Sequence, residues 1–255
     1  MFKEERIHKI HELLKKQNFI SVKELSFQFS VSEMTIRRDL QRLDSLGLIT
    51  RVRGGAQIKK VISAEEILED KQSHNLKIKK KIAKKAIHLL KDGMTLLLDS
   101  GTTTYEIALL IHHSHFQNLT VITNDLEIVS VLRKDKHIQL IVLGGWVQSE
   151  TQSTQGNLTK KCMEELQVEI AFLGASSIGK GLKTYSPSEE KVELKRLFIE
   201  NSALSVLVVD ASKREQMNLN FVHNVIEVDY LITDLNLSQK QQELLKEENT
   251  QYIQV

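Results

Sequence analysis

The sequence has little cysteine, few aromatic residues and no long apolar run, and these absences exclude several classes of protein. Cys162 is the only cysteine among 255 residues, so no disulfide can form within the chain. No apolar run approaches the roughly 20 residues that a membrane-spanning helix needs. The amino-terminal segment MFKEERIHKIHELLKKQ is charged and amphipathic, unlike a secretory signal. We therefore expect a cytoplasmic protein that works under reducing conditions and has no membrane partner.

The net charge of +2 conceals an uneven distribution along the chain. Residues 1–60 hold 13 lysines and arginines against 7 acidic residues, whereas the rest of the chain holds 22 against 26. A basic segment on an acidic body is typical of a local polyanion-binding module. The hydrophobic fraction of 41% is sufficient for a packed core, and the length allows one large domain or two smaller ones.

The amino-terminal residues carry the pattern of a helix-turn-helix. Ile7, Ile10 and Leu14 recur at helical spacing and predict a first helix. Ser21, with Glu24 three positions later, predicts a capping box at the start of a short second helix. A third helix follows after a short turn, and its polar and basic face is typical of a helix that reads the major groove of DNA.

In this third helix, Ser32 is the expected N-cap and Gly47 is placed for a left-handed C-cap. Ile36, Leu40 and Leu43 form its predicted buried stripe.

In the stretch LITRVRGGAQI after the third helix, apolar and polar residues alternate on both sides of a turn at Gly54-Gly55. This pattern predicts a β-hairpin, or wing. Together these elements predict a winged helix-turn-helix domain over residues 1–58. A solvated basic helix face on a small interaction domain is the alternative. The candidate DNA-binding residues share the outer face of the third helix or the wing: Ser32, Thr35, Arg37, Arg38, Gln41, Arg42, Arg51 and Arg53.

Beyond a charged linker at 59–77, residues 78–255 alternate apolar runs with amphipathic segments. This is the pattern of parallel strands joined by helical crossovers, so we predict a larger parallel-sheet α/β effector domain over 78–255. Lysines between the apolar positions of the helix that starts near residue 78 are expected to form a solvated face, although this cluster could also lie near DNA. The predicted strands are 95–99, 119–123, 138–145, 169–176, 204–210 and 230–234.

Small and polar residues follow the predicted strands, at the sheet edge where open parallel sheets bind ligands. In DSGTTT (99–104), a glycine turn entering a helix exposes backbone N–H groups, and the helix dipole and threonine hydroxyls favour an anion there. A capped helix start without a ligand is the alternative. The candidate effector-binding residues are Asp99, Ser100, Gly101, Thr102, Thr103, Thr104, Thr123, Asn124, Gly144, Gly145, Glu190 and Lys213.

Both halves of the chain resemble one protein family. VSEMTIRRDLQRLDSLGLITRVRGGA closely resembles the signature of the DeoR family of bacterial transcriptional regulators, with Arg53 where that family usually has histidine. The family analogy makes residues 32–47 the recognition helix. DSGTTT, VITND, VLGG, AFLGASSIG and VVDASK resemble the family's effector-binding domain, whose fold is similar to that of sugar-phosphate isomerases.

The resemblance implies a ligand-responsive regulator that binds double-stranded operator DNA and senses a phosphorylated sugar. We expect a repressor of a carbohydrate-utilisation operon, without a cofactor. A homo-oligomer, either a dimer or a tetramer, is expected because paired winged helices read paired half-sites.

The alternative function is a sugar-phosphate isomerase-like enzyme with a fused DNA-binding domain. Asp99, Glu190 and Lys213 would then be its acid and base candidates. Against this, no histidine is placed by a motif to activate Ser100, and an enzyme would have no evident use for a winged helix.

Two further features have a plain structural interpretation. His112, His113 and His115 lie at a predicted helix end, where histidine is favourable against the helix dipole, and no acidic or cysteine partner stands at metal-ligand spacing. We therefore expect no metal site there. Trp146 follows paired glycines, and the sequence leaves open whether it closes over a ligand or packs against the chain.

Overall fold

The computed structural model describes residues 3–17, 19–45, 49–58, 74–214 and 218–255. The chain divides into two compact units, Met1–Val61 and Ile62–Val255, called here the amino-terminal unit and the sensor unit. The exact bounds of the predicted domains stay predictions. Of the predicted linker, residues 59–73 lie outside the described residues, and a helix begins at Leu76.

The amino-terminal unit contains three helices and a three-stranded antiparallel sheet. The predicted hairpin is confirmed, and a third strand, which the sequence did not predict, pairs with it to give the order β1-β3-β2. Three residues are too few to show an alternating pattern, which is why this strand was missed. The elements are α1 (Lys3–Gln17), β1 (Phe19–Ser21), α2 (Val22–Phe29), α3 (Glu33–Ser45), β2 (Ile49–Val52) and β3 (Gly55–Ile58).

Side-chain caps fix where the second and third helices begin. The Ser21 hydroxyl accepts a hydrogen bond from the Glu24 N–H while the Glu24 carboxylate accepts one from the Ser21 N–H, so the predicted capping box is confirmed. The Ser32 hydroxyl likewise accepts from the Thr35 N–H at 3.2 Å. The predicted C-cap Gly47 lies outside the described residues.

The core of this unit is formed by the predicted apolar stripes. Ile10 and Leu14 of α1 meet Ile36, Leu40 and Leu43 of α3, and all five side chains are at most 1% exposed. Burial of these stripes turns the opposite face of α3 outward.

A buried ion pair joins α1 to α3 inside this apolar core. The Arg6 Nε donates to the Asp39 Oδ2 at 2.6 Å, and the two residues are 8% and 1% exposed. Asp39 lies between the outward-facing Arg38 and the buried Leu40, so its neighbours in sequence gave no sign of this role. Each charge is costly to bury alone and is acceptable only because the other is present.

The sensor unit is built on a seven-stranded parallel sheet in the order β15-β14-β12-β9-β4-β5-β6. All six predicted strands are confirmed, and the last strand of the chain adds a seventh at one edge. The sheet strands are β4 (Thr95–Leu98), β5 (Leu119–Thr123), β6 (Ile138–Val142), β9 (Ile170–Leu173), β12 (Ser205–Val208), β14 (Tyr230–Thr233) and β15 (Gln251–Gln254).

Helices and short strands complete the sensor unit. The helices are α4 (Leu76–Ala86), α5 (Thr102–His112), α6 (Leu126–Leu132), α7 (Asn157–Glu164), α8 (Glu189–Glu200) and α9 (Gln239–Glu247). The short strands form a hairpin, β7 (Trp146–Gln148) with β8 (Ser153–Gln155), and a small antiparallel sheet of β10 (Ser177–Ile178), β11 (Lys183–Ser186) and β13 (Asn220–Asn224).

Helices cover both faces of the sheet, which explains why its central strands read as continuous apolar runs. In β4, Leu96 and Leu98 contribute to the core beneath α4, α5 and α6, whereas Leu97 points to the other core, beneath α7, α8 and α9. All three leucines are 0% exposed. Because every strand of this sheet is parallel, the loops after the strands meet at one edge.

The predicted solvated lysine face of α4 is largely confirmed, with one correction. Lys79 is only 2% exposed, so the prediction was wrong for this residue. It follows Ile78, close to the apolar stripe, and it lies near enough to Glu106 to influence that carboxyl group. The remaining lysines of α4 are exposed: Lys77, Lys80, Lys81, Lys84 and Lys85.

The Arg6–Asp39 pair gives a stability prediction for the amino-terminal unit. Asp39→Ala leaves the Arg6 charge buried without its partner and should lower the free energy of unfolding by about 3 kcal/mol. Urea unfolding followed by far-UV circular dichroism measures this loss, with Asp44→Ala, an exposed site on the same helix, as the control. Trp146, the only tryptophan, reports on the sensor unit separately. Equal midpoints for the two variants would contradict the prediction.

Candidate functional site

Most of the candidate DNA-binding residues are exposed, either on α3 or on the wing of the amino-terminal unit. Arg37, Arg38, Gln41 and Arg42 are exposed on α3, while Thr35 is partly buried. Arg37 lies 3.5 Å from Glu33 one turn earlier, an exposed pair that is weak in water and easily exchanged for a phosphate.

The two wing arginines and Ser32 have distinct surroundings. Arg51 and Arg53 are exposed on β2 and on the hairpin turn that follows. Gly54 in that turn has a φ of +87°, a conformation that glycine adopts without strain. Ser32 is exposed but uses its hydroxyl to cap α3, so its first role is to hold the helix start.

The candidate effector site is a pocket at the carboxyl edge of the sensor sheet, called here the anion pocket. Its cavity measures about 80 Å³, which is room for several water-sized groups. Predicted residues that line it are Ser100, Gly101, Thr102, Thr103, Thr104 and Lys213. Polar residues that the sequence did not predict also line it: Thr151, Ser176, Lys191, Lys195 and Asp210.

The amino-terminal end of α5 faces the anion pocket. Gly101 is the N-cap residue, and no side chain caps the helix. The N–H groups of the first turn, in Thr102 to Thr104, have no carbonyl partner within an α-helix. The Thr104 hydroxyl donates to the Gly101 carbonyl at 2.7 Å, which shapes the turn. These N–H groups and the positive end of the helix dipole favour an anion at this point.

Two side chains from the loop after β5 hold the same turn from behind. The Asn124 Oδ1 accepts from the Ser100 N–H at 3.1 Å, and the Asp125 Oδ2 accepts from the Gly101 N–H at 3.2 Å. Asn124 is 2% exposed, and its amide also donates to the Thr154 carbonyl. The first two N–H groups of the turn are therefore satisfied within the chain, and the next residues along α5, Thr102 to Thr104, line the pocket.

Asp125 is a buried carboxyl group that also caps α6. Its Oδ1 accepts from the N–H groups of Glu127 and Ile128 at 2.8 and 3.1 Å. Burial raises the pKa of Asp125 to about 7, although its three backbone hydrogen bonds favour the ionised form. Nearby Asp99 adds to the upward shift of this pKa.

The other buried carboxylate behind the pocket, Asp99, pairs with a lysine of α8. The Asp99 Oδ2 accepts from the Lys195 ammonium group and from the Gly174 N–H, while the same ammonium donates to the Gly174 carbonyl at 2.8 Å. Asp99 and Lys195 are 2% and 6% exposed. This pair therefore fixes the ends of β4 and β9 against α8.

Two further lysines and an aspartate complete the charges of the pocket. Lys191 lies one turn before Lys195 on α8, and Lys213 follows β12. Burial opposes ionisation of Asp210, but hydrogen bonds from Ser212 and Asn75 lower its pKa. Three lysines and one aspartate thus line the pocket, and the positive end of the α5 dipole adds to the charge of the lysines.

Other predicted effector residues lie outside the lining of the pocket. Thr123 is 0% exposed and donates to the Leu98 carbonyl at 2.7 Å. Glu190 is exposed at the start of α8, where hydrogen bonds from its own N–H and from Ser188 lower its pKa. Thr123 thus joins neighbouring strands, and Glu190 belongs to a helix start.

The paired glycines after β6 also lie outside the lining. Gly144 accepts a hydrogen bond from the Thr159 hydroxyl at 2.6 Å. Gly145 has a φ of +148°, and a Cβ there would meet that hydroxyl at 2.2 Å. The absence of a Cβ at Gly145 therefore allows Thr159 of α7 and the Gln155 carbonyl to approach closely.

Lys191 and Lys195 were missed, although the sequence carries a signal for them. With Phe198 they occupy positions i, i+4 and i+7 of α8, and all three are buried. Lysines that continue an apolar stripe indicate a buried charge, which needs a partner such as Asp99. Thr151 carried no such signal, because only the fold of the β7–β8 hairpin brings it to the pocket.

The histidine cluster and Trp146 lie apart from the pocket. His112 Nδ1 is 3.4 Å from the Asp135 carboxylate at the end of α5. Within the described ranges no group of three or more metal-binding side chains is placed to hold an ion. Trp146 is 53% exposed, and its ring occupies the space where a Cβ on Gly156 would lie. None of the helices described is both long and apolar enough to cross a membrane.

Comparison with known proteins gives two family matches that together cover most of the chain. Residues 6–61 match the DeoR-like helix-turn-helix domain, and residues 74–235 match the DeoR C terminal sensor domain.

Individual relatives match over nearly the whole chain. An uncharacterized HTH-type transcriptional regulator of Haemophilus influenzae is 33% identical, with 98% of this chain and 97% of the relative covered. The lactose phosphotransferase system repressor of Lactococcus lactis is 33% identical over 93% of both chains. Among solved structures, ribose 5-phosphate isomerase A of Methanocaldococcus jannaschii is 22% identical, with 56% of both chains covered and a TM-score of 0.41.

The Asp99–Lys195 pair gives a prediction for the sensor unit. Lys195→Met leaves the Asp99 carboxylate buried without a cation and should lower the free energy of unfolding by about 3 kcal/mol. Urea unfolding followed by Trp146 fluorescence measures this loss. In the double variant Asp99→Asn, Lys195→Met neither charge remains, so part of the stability should return. A double variant no more stable than the single one would contradict this account.

Proposed function

The chain belongs to the DeoR family of transcriptional regulators, and we propose that it represses a carbohydrate-utilisation operon under the control of a phosphorylated sugar. In this proposal α3 and the wing bind operator DNA, and the anion pocket binds the phosphate group of the effector. The observation that carries the proposal is the uncapped start of α5 facing a pocket lined by three lysines.

The exposed face of α3 supports the DNA-binding part of the proposal. Arg38 and Arg42 lie one turn apart on this face, and Gln41 lies between them. An arginine in the major groove donates two hydrogen bonds to guanine, and glutamine pairs in the same way with adenine. Arg51 and Arg53 on the wing have the charge needed to contact DNA phosphates.

The effector class is proposed from the chemistry of the anion pocket. The N–H groups of α5 and the lysine side chains are donors suited to phosphate oxygens. Asp210 supplies an acceptor for hydroxyl groups, and Thr151 and Ser176 can donate or accept. A phosphate group attached to a polyhydroxylated carbon chain can bind both the donors for phosphate oxygens and the groups that bind hydroxyls. The Lactococcus lactis relative, a repressor named for lactose, is consistent with a sugar.

We propose that the pocket binds its effector without converting it. Of the acid and base candidates, Asp99 is already held by Lys195 and Gly174, and Glu190 does not line the pocket. Lys213 remains at the pocket wall, where a cation beside the phosphate is sufficient for binding.

Regulation requires the effector to bind the DNA-competent and DNA-incompetent states with unequal affinity. We propose a homo-oligomer, because one winged helix reads only a half-site and a symmetric pair reads both.

Arg38 provides the test of the DNA-binding surface. Arg38→Ala removes a group proposed to contact a base and should weaken operator binding by about fivefold or more, which corresponds to about 1–3 kcal/mol. The measurement is a gel-shift titration on an operator selected in vitro with the wild-type protein. Arg133→Ala, an exposed arginine of the sensor unit, is the matched control. Unchanged affinity in the Arg38 variant would refute its proposed role.

A ligand screen tests the effector class. Thermal-shift measurements compare phosphorylated sugars, the same sugars without phosphate, and inorganic phosphate. The sugars without phosphate should not stabilise the protein, and the phosphorylated sugars should raise its melting temperature more than inorganic phosphate does. Chromatography of the incubated compounds should show no conversion. Stabilisation by the unphosphorylated sugars alone would refute the phosphate assignment, and turnover would favour the enzyme.

Thr102 tests where the effector binds. Thr102→Trp fills the space in front of the α5 N-terminus, so it should abolish the thermal shift while leaving operator affinity within about twofold. Ser149→Trp, which adds the same bulk at an exposed position outside the lining, should retain the shift. Normal effector binding by the Thr102 variant in calorimetry would exclude this position for the phosphate.

A further inference from the structure

The outer face of α4 carries a row of cations that neither the core nor the anion pocket uses. Five of its lysines are exposed, and the helix contains no acidic residue. Their spacing places them along one side of the helix, over about 12 Å. This row is called here the lysine stripe: Lys77, Lys80, Lys81, Lys84 and Lys85.

The helix dipole favours Lys84 and Lys85 in the last turn of α4, but repulsion between the lysines opposes the arrangement as a whole. Lys77 and Lys81 stand four residues apart, as do Lys80 with Lys84 and Lys81 with Lys85, and like charges at this spacing destabilise a helix. Alternating glutamate and lysine would keep the face equally soluble and would stabilise the helix. A concentration of one charge that opposes helix stability indicates a binding role.

Glu106 is an acidic neighbour of the stripe. Coulombic attraction by Lys80 and Lys79 lowers the pKa of Glu106, although burial outweighs it and the pKa is raised. The inner face of α4 is occupied by the core, where Ile82 and Ala86 are 0% exposed. Lys77, Lys81, Lys84 and Lys85 make no ion pair with another described residue.

The positive charge of the stripe contrasts with the net negative charge of the chain beyond residue 60. Beyond residue 60, the sequence has 22 basic residues against 26 acidic ones, and six of the 22 are the lysines of α4. Without these six lysines, the rest of this part of the chain has 16 basic residues against 26 acidic ones, a balance that disfavours a polyanion.

We propose that the lysine stripe is a second DNA-binding surface, which contacts the phosphate backbone without reading sequence. The polyanion is DNA because the same chain carries a winged helix-turn-helix, and only 17 residues separate β3 from α4. A chain of that length spans at most about 60 Å. Once α3 and the wing are bound, the covalent connection holds the stripe within reach of flanking DNA.

The test is the salt dependence of DNA binding by the full-length protein. The probe is a fluorescent random-sequence duplex of about 40 base pairs, and affinity is measured by anisotropy at several KCl concentrations. The variant K77Q/K81Q/K84Q/K85Q removes four charges while retaining a good helix-forming residue at each position. Lys80 is kept because it interacts with Glu106. We expect the magnitude of the slope of log affinity against log salt to decrease by about 3.6, since each of the four phosphate contacts contributes roughly 0.9.

Two further variants distinguish DNA binding by the lysine stripe from the effect of lowering the total positive charge of the protein. K134Q/K136Q/K161Q/K240Q removes the same number of charges from exposed lysines elsewhere on the sensor unit and should leave the slope unchanged. K77R/K81R/K84R/K85R keeps the charge and should preserve the slope. Circular dichroism verifies that each variant is folded. An unchanged slope in the stripe variant, or an equal decrease in the control variant, would overturn the proposal.

Discussion

The buried Asp99–Lys195 pair is the interaction on which the geometry of the sensor unit depends. It connects the end of β4, the end of β9 and the middle of α8 through the carboxylate of Asp99 and both polar groups of Gly174. Because β4 leads directly into the turn at Ser100 and Gly101, this pair also determines where the start of α5 points. An apolar pair of similar volume would pack as well, but it would not fix these directions by hydrogen bonds.

The anion pocket follows from that geometry and from a division of hydrogen-bond donors. Asn124 and Asp125 occupy the N–H groups of Ser100 and Gly101, so the turn is held in place before any ligand binds. No side chain caps the next N–H groups along α5, and Lys191 and Lys213 add positive charge to the lining of the same pocket. A preorganised site of this kind spends little of its binding free energy on ordering itself.

The amino-terminal unit uses a similar arrangement for another purpose. Arg6 and Asp39 form a buried pair that sets α1 against α3, while Arg37 and Arg38, the residues before Asp39, face outward. Of these three consecutive charged residues, the two arginines are exposed and the aspartate is buried, because a helix turns by about 100° per residue. The position of α3 and the exposure of its basic face are thus decided by the same short segment.

The sequence by itself determined the elements whose signal is local. Apolar periodicity, capping residues and runs of branched side chains predicted the helices of the amino-terminal unit, its wing and six of the seven parallel strands, since these depend on residues close together in the chain. The turn DSGTTT was likewise predictable as a glycine turn that enters a helix, whereas the absence of a side-chain cap on that helix was not. The tertiary structure alone decided which distant residues meet there. It brought Lys195 to Asp99 and Thr151 to the pocket. It also placed six predicted effector-binding residues outside the lining: Asp99, Thr123, Asn124, Gly144, Gly145 and Glu190. The physical reason is that contacts between residues far apart in sequence are set by how the helices pack on the sheet, which no local pattern records.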